Sequence, residues 1–230
     1  MVKLCAMPRR LRFSSGGYVY HVLNRAVGRA RIFEKSKDYA AFERVLKEAK
    51  EWLPMRILAY CVLPNHWHLV LWPFHDGDLS EWLRWMTVTH TQRWHAHHHS
   101  AGTGPLYQGR FKSFPIQEDD HLLAVCRYVE RNPLRANLVR EVASWRWGSM
   151  WHRAHGTADL WLDGGPVPLP DDWIERVTAP QSAAEVAALR TCVTRGRPHG
   201  EEAWRQRTAK ALGLESTLRP RGRPRLAPPS

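Results

Sequence analysis

The distribution of apolar and polar residues along the first two thirds of the chain predicts alternating strands and helices. Runs of aromatic and β-branched residues favour strands, and they lie at 18–23, 55–63, 66–72 and 110–117. Helices are predicted at 38–52, 79–95 and 118–132. The resulting order, β-α-β-β-α-β followed by one added helix, is typical of an α+β, ferredoxin-like (RRM-like) antiparallel sheet with helices on one face.

Short connections set the boundaries of these elements. Pro54 ends the first helix, because proline cannot donate the backbone hydrogen bond that a helix needs. Pro64 and Asn65 form a short link between two strands, so these strands are expected to pair as an antiparallel hairpin. The added helix opens with the acidic turn 118–120 and is expected to end before Pro133, since acidic residues complement a helix N-terminus.

Three segments of different composition divide the chain. Residues 1–155 hold the predicted sheet and form the first unit. Residues 156–180 are rich in glycine and proline and are interpreted as a linker or an extended wrap. Residues 181–230 are predicted to be a basic tail with short helices near 182–190 and 204–214.

The charge of the chain points to a polyanionic partner. The net charge is +12, and residues 190–230 alone hold ten Arg and Lys against three Glu. Nucleic acid is the most common partner of such a surface. The alternative is a charged surface that serves only solubility.

The cysteines and the apolar runs bear on location. Cys5, Cys61, Cys126 and Cys192 are scattered, without a C-x-x-C pair, which argues against a zinc ribbon or a disulfide scaffold and suits a reducing compartment. No apolar run approaches the roughly 18 residues that span a bilayer, and no apolar signal segment opens the chain. We therefore expect a cytoplasmic, nucleoid-associated protein without a membrane partner.

The segment Pro64-Asn65-His66-Trp67-His68-Leu69 carries the first candidate chemistry. Successive side chains of a strand point to opposite faces, so His66 and His68 share one side and Trp67 takes the other. Two adjacent imidazoles form half of a metal site. A hydrogen-bonded structural pair is the alternative, and the tract 95–99, with four further histidines, is interpreted as solvated surface.

The added helix supplies candidates to complete this site. Tyr128 and Asn132 are four residues apart and would share a helix face. Two imidazoles and an amide oxygen suit Mg²⁺ or Mn²⁺ more than a structural zinc. A tyrosine beside such an ion is able to attack a phosphodiester. The alternative for Tyr128 is a core aromatic residue.

These residues carry a resemblance to a known family. Pro64-Asn65-His66-Trp67-His68-Leu69 resembles the His-hydrophobic-His (HUH) motif of single-tyrosine transposases, and Tyr128-Val-Glu-Arg-Asn132-Pro-Leu-Arg-Ala resembles their nucleophile helix. Further similarity lies in 17–29 and 106–113. The chain is most similar to the REP-associated tyrosine transposases. Arg131 departs from the pattern, since the family usually has an apolar residue there.

The resemblance implies an enzyme that nicks and rejoins single-stranded DNA at hairpin (REP-like) repeats, acting as a monomer or homodimer. His66, His68 and Asn132 would hold Mg²⁺ or Mn²⁺. Tyr128 would attack the phosphate and retain the DNA 5′ end as a phosphotyrosine. A hairpin DNA- or RNA-binding regulator without activity, and a hydrolytic nuclease, are the alternatives.

Several basic residues are candidates for DNA contact. Gln108, Arg110 and Lys112 would share one face of the fourth strand as a phosphate track, unless they only guard a strand edge. The terminal segments supply the other candidates, which are Arg9, Arg10, Arg12, Arg219, Arg221, Arg223 and Arg225. The tail 219–225 alternates Arg with Pro and Gly and resembles an AT-hook for A·T-rich minor grooves. A basic tail that binds any DNA is the alternative.

Overall fold

A four-stranded antiparallel sheet forms the centre of the protein. The computed structural model describes residues 14–158 and 162–219. The strands are β1 (Val19–Arg25), β2 (Arg56–Leu63), β3 (His66–Trp72) and β4 (Lys112–Ile116). They lie in the order β2-β3-β1-β4, and each neighbouring pair is antiparallel. The α+β class, the antiparallel sheet and the β2–β3 hairpin are therefore confirmed.

Two long helices cover one face of this sheet. They are α1 (Ser36–Trp52) and α2 (Asp78–His97), both within two residues of their predicted bounds. Phe42 of α1 and Trp82 of α2 are fully buried in one apolar cluster with Trp67 of β3. Burying large aromatic side chains in this way is the main source of stability for the layer.

The added helix packs on the opposite face. This helix, α3 (Asp120–Glu130), places Val125 and Val129 in a second apolar cluster with Phe114 of β4. The prediction that it continues to residue 132 was wrong by two residues, because a new short helix, α4 (Asn132–Arg135), begins there with Pro133 in its first turn. Proline has no N–H to continue the hydrogen bonds of α3. Arg131 keeps a near-helical backbone (φ −81°, ψ −7°), so Tyr128 and Asn132 stay on adjacent turns.

A buried carboxylate anchors α3 to the following segments. Glu130 is 2% exposed. It accepts hydrogen bonds from Ser149 Oγ at 2.5 Å, Arg153 Nε at 2.9 Å and Trp173 Nε1 at 2.6 Å. Ser149 and Arg153 belong to α5 (Ser149–Ala154) and Trp173 opens α6 (Trp173–Thr178). These bonds satisfy the charge that burial would otherwise penalise.

Residues of the segment 162–219 pack against the sheet. Asp163 accepts from the backbone N–H of Ile57 at 2.8 Å and from Lys50 Nζ at 2.7 Å. Leu189 and Cys192 are buried among the residues beneath α3. The last helices are α7 (Ala183–Arg195), α8 (Glu202–Ala211) and α9 (Glu215–Leu218). Within the described ranges, none of the helices combines the length and apolarity that crossing a bilayer requires.

Candidate active site

An open pocket of about 640 Å³ lies where β1 and β3 meet the end of α3. It gathers seven of the candidate site residues that the sequence predicts. These are His66, His68, Gln108, Arg110, Lys112, Tyr128 and Asn132. Four separate elements and a loop supply them, so the pocket exists only in the folded chain.

The side chains of His66 and His68 leave the same side of β3, and their ring centroids are 5.1 Å apart. His66 Nδ1 lies 2.6 Å from Oδ1 of Asn65. Because an amide oxygen only accepts, Nδ1 carries the hydrogen and Nε2 keeps its lone pair. Burial lowers the pKa of His66 to about 4, so this imidazole is neutral at physiological pH and suited to bind a cation.

His68 has a partner that the sequence analysis missed. His21 of β1 is buried, and its Nε2 lies 2.8 Å from Nδ1 of His68. When His68 donates in this pair, its Nε2 is left as a free ligand atom, which is how a neighbouring group orients a metal-binding histidine. Burial places the pKa of His68 well below its usual value. Both faces of β1 are buried, so its burial pattern alone does not single out His21. The pairing of Leu23 with His68 in the sheet places His21 on the same face as His68.

Tyr128 lies against the histidine pair. Its side chain is 7% exposed, and its ring is 5.9 Å from that of His68, in an edge-on arrangement. The guanidinium carbon of Arg135 lies 4.1 Å from the centroid of the Tyr128 ring. A cation at this distance interacts favourably with an aromatic face, and it would also stabilise negative charge on the phenol oxygen.

Asn132 is in the pocket, but its amide oxygen already has a partner. Oδ1 accepts a hydrogen bond from Arg135, whereas the buried Nδ2 has no partner among the described residues. A guanidinium and a metal ion repel each other at a shared oxygen. The two imidazoles offer nitrogen atoms suited to a divalent ion, whereas the amide oxygen of Asn132 could join them only without its bond to Arg135.

The pocket lining is strongly basic. Apart from the predicted Arg110 and Lys112, it includes Arg25, Arg29 and Arg135, together with Arg190 from α7. Among the described residues that line it, none is acidic. Such a concentration of positive charge favours a phosphate backbone. Arg190 was missed because nothing in its local sequence indicates which surface α7 covers.

The remaining predicted DNA contacts are arranged differently from expectation. Gln108 and Arg110 precede β4, which begins only at Lys112. The alternation of side chains along a strand therefore does not orient Gln108 and Arg110, and the prediction that they share a face of the fourth strand with Lys112 was wrong. Instead, the backbone N–H of Gln108 donates to the carbonyl of Arg25 at 2.9 Å, and Gly109 has a φ of +149°.

Of the terminal candidates, the structure describes Arg219. Arg219 is exposed and does not line the pocket, and its carbonyl accepts from Arg195. Six other candidates lie outside the described residues. They are Arg9, Arg10, Arg12, Arg221, Arg223 and Arg225.

Fold and site together define a class of protein, an α+β scaffold that presents paired histidines, a tyrosine and clustered cations in one pocket. Residues 14–132 match the family described as transposase IS200 like. The match extends over the sheet, α1, α2 and α3, and it includes both histidines, Tyr128 and Asn132. The chain belongs to this transposase family.

Two known REP-associated tyrosine transposases are similar to this chain. The REP-associated tyrosine transposase of Escherichia coli K12 is 24% identical over 144 residues, which are 63% of this chain and 82% of that protein. A solved structure of a REP-associated tyrosine transposase bound to a REP hairpin matches with a TM-score of 0.52 and 23% identity. That match covers 69% of this chain and 92% of the solved one, and at this identity it shows the fold.

Proposed function

We propose that this protein nicks single-stranded DNA at hairpin repeats of the REP type and transfers the cut strand through a phosphotyrosine at Tyr128. The observation that carries the proposal is that Tyr128 shares one basic pocket with His66 and His68. A tyrosine with a purely structural role would not need to lie beside paired imidazoles and the guanidinium of Arg135. Membership of a transposase family supports the same reaction class.

The cations of the pocket would bind the DNA backbone. Arg25, Arg110 and Lys112 lie on the side of β1 and β4, and Arg190 lies on the side of α7. Phosphate contacts of this kind position a strand without reading its sequence. A divalent ion on His66, His68 and Asn132 would neutralise the scissile phosphate and orient it for in-line displacement. Mg²⁺ or Mn²⁺ is the expected ion.

The chemical step conserves the energy of the broken bond. The phenol oxygen of Tyr128 gives up its proton and bonds to phosphorus, while the bond from phosphorus to the 3′ oxygen breaks. The 3′ oxygen takes up one proton and leaves as a hydroxyl, so the step consumes no net proton. The DNA 5′ end stays attached to Tyr128 as a phosphodiester. Attack by another 3′-OH reverses the step and joins two strands without ATP.

Arg135 is suited to assist this step. It is half-buried, lies 4.1 Å from the centroid of the Tyr128 ring and has one buried nitrogen, Nη1, without a partner among the described residues. A buried guanidinium without a carboxylate is costly unless an anion joins it. We propose that Arg135 stabilises the negative charge that develops on the phenol oxygen and the phosphate during the reaction.

The proposed substrate follows from the relatives and from the pocket. The solved neighbour is bound to a REP hairpin, and the E. coli relative is a REP-associated transposase. The open, basic pocket of this chain would accept a flexible strand next to a duplex stem.

The decisive experiment is an adduct assay. The protein is incubated with Mn²⁺ and a labelled single-stranded oligonucleotide that contains a hairpin, and the products are separated on a denaturing gel. A covalent adduct is expected for the native protein and for Tyr18→Phe, a control at a half-buried tyrosine outside the pocket. Tyr128→Phe should form none. Cleavage that survives in Tyr128→Phe would indicate a hydrolytic nuclease, and tight binding without cleavage would indicate a regulator.

A further inference from the structure

A second group of metal-binding side chains lies outside the pocket. Asp38, His97 and His98 each offer a ligand atom, and these atoms lie within 4.8 Å of one another. Asp38 is in the first turn of α1, His97 ends α2 and His98 caps it. We propose that these three residues form a zinc site that joins the beginning of α1 to the end of α2. The proposal is independent of the function assigned to Tyr128.

The carboxylate of this group is held in place before any ion arrives. Asp38 is a buried residue. Its Oδ2 accepts the backbone N–H groups of Glu34 at 2.9 Å and Lys35 at 2.8 Å. A carboxylate has further lone pairs for an ion. The two backbone bonds therefore orient the ligand without consuming it.

The imidazole of His98 is oriented equally well. Its Nδ1 lies 2.9 Å from the carbonyl oxygen of Trp94, and its ring stacks on the Trp94 indole with centroids 4.0 Å apart. A carbonyl only accepts, so Nδ1 carries the hydrogen and Nε2 keeps the lone pair. A backbone carbonyl behind a ligand histidine is a common second partner in metal sites.

His97 completes the group from the adjacent position. It is exposed, and its ring centroid is 5.0 Å from that of His98. An exposed side chain is free to turn towards an ion held by the other two. Two imidazoles and one carboxylate are a common ligand set for zinc, with a fourth position left for water.

The position of the group gives it a structural consequence. Asp38 and His97 are far apart in sequence, so an ion between them cross-links the two helices that cover one face of the sheet. The segment after His98 is irregular until β4 and carries Gln108 and Arg110 into the pocket. An ion at the end of α2 would fix the point from which that segment departs. The histidine tract would then be more than solvated surface.

Zinc binding is best measured where the pocket cannot contribute. Isothermal titration with ZnCl₂ on metal-free His66→Ala/His68→Ala protein should show one bound ion. Adding His97→Ala and His98→Ala should weaken that binding at least tenfold. Asp38→Asn keeps an oxygen for the backbone N–H groups and removes the charge, so it should also weaken binding at least tenfold.

His155→Ala is the matched control. His155 repeats the arrangement of His98, with Nδ1 2.8 Å from the carbonyl of Trp151 and a ring stacked at 4.3 Å. It is not part of the cluster, so zinc affinity should not change. Zinc should also raise the thermal midpoint of the native chain, and to a smaller extent that of His97→Ala/His98→Ala. Unchanged affinity in that variant, or full affinity in Asp38→Asn, would overturn the proposal and leave surface imidazoles that bind zinc adventitiously.

Discussion

The buried carboxylate of Glu130 provides the sharpest test of how α3 is held in place. Replacing it by alanine would leave Arg153 Nε and the Trp173 indole N–H without their acceptor, and the Arg153 guanidinium without its carboxylate. Ser149 Oγ would keep only the carbonyl of Tyr60 as an acceptor. The Arg153 side chain is only 18% exposed, so water replaces the carboxylate poorly. We expect Glu130→Ala to destabilise the fold strongly.

The magnitude follows from these contacts. Removing one partner of a buried ion pair costs about 3–5 kcal/mol, because the other charge stays buried and unpaired. Glu130→Gln keeps the shape and one acceptor oxygen but loses the charge-assisted bonds, which contribute about 1.5–3 kcal/mol. The expected losses are therefore about 4 kcal/mol for alanine and about 2 kcal/mol for glutamine.

An exposed ion pair supplies the control. Asp172 and Arg176 approach to 2.8 Å, with side chains 55% and 51% exposed. Such pairs contribute about 0–1 kcal/mol, so Asp172→Ala should change the stability little. The measurement is the free energy of unfolding in urea, followed by far-UV circular dichroism and tryptophan fluorescence. If Glu130→Ala lost no more stability than Asp172→Ala, the claim that this carboxylate anchors α3 would be refuted.

Three further predictions concern the pocket and the core. Arg135→Gln should reduce adduct formation at Tyr128 at least tenfold with little loss of DNA affinity, as measured by the adduct gel and by fluorescence anisotropy; equal adduct yields would contradict its role. Arg190→Ala should weaken DNA binding and lower the slope of log affinity against log salt by about 1, and an unchanged slope would place Arg190 away from the DNA. Burial lowers the pKa of His90 to about 3, against about 6.5 in the unfolded chain. Between these two pH values the unfolded chain binds a proton at His90 and the folded chain does not, so the free energy of unfolding should fall as the pH drops from about 6.5 towards about 3. The thermal midpoint should therefore drop between pH 7 and 4.5, and less so in His90→Leu.

Local patterns in the sequence predicted the elements well because each depends on nearby residues. Pro64 and Asn65 are too short a link for anything but a hairpin, and the hairpin forms. The limits of β4 were less accurate, since Gln108 and Arg110 have no alternating pattern of their own and are placed by contacts with β1. Those contacts come from residues about 80 positions earlier, which no local window contains.

The candidate site also divides into features that local spacing predicted and features that it did not. His66, His68, Tyr128 and Asn132 were found from spacing, and all four line one pocket. The bond from Arg135 to Asn132 was not foreseen, because spacing places residues on a helix face but does not choose among competing hydrogen-bond partners.

By itself, the sequence determined which side chains share a face. The two-residue period of a strand puts His66 and His68 on one side of β3 and Trp67 on the other, whatever the rest of the chain does. Only the tertiary structure decided what those faces meet. His21 behind His68, Arg190 at the pocket and Asp38 beside His98 come from distant segments, and long-range packing alone brings them together. Backbone geometry is local, whereas the environment that tunes a histidine or a tyrosine is assembled from the whole chain.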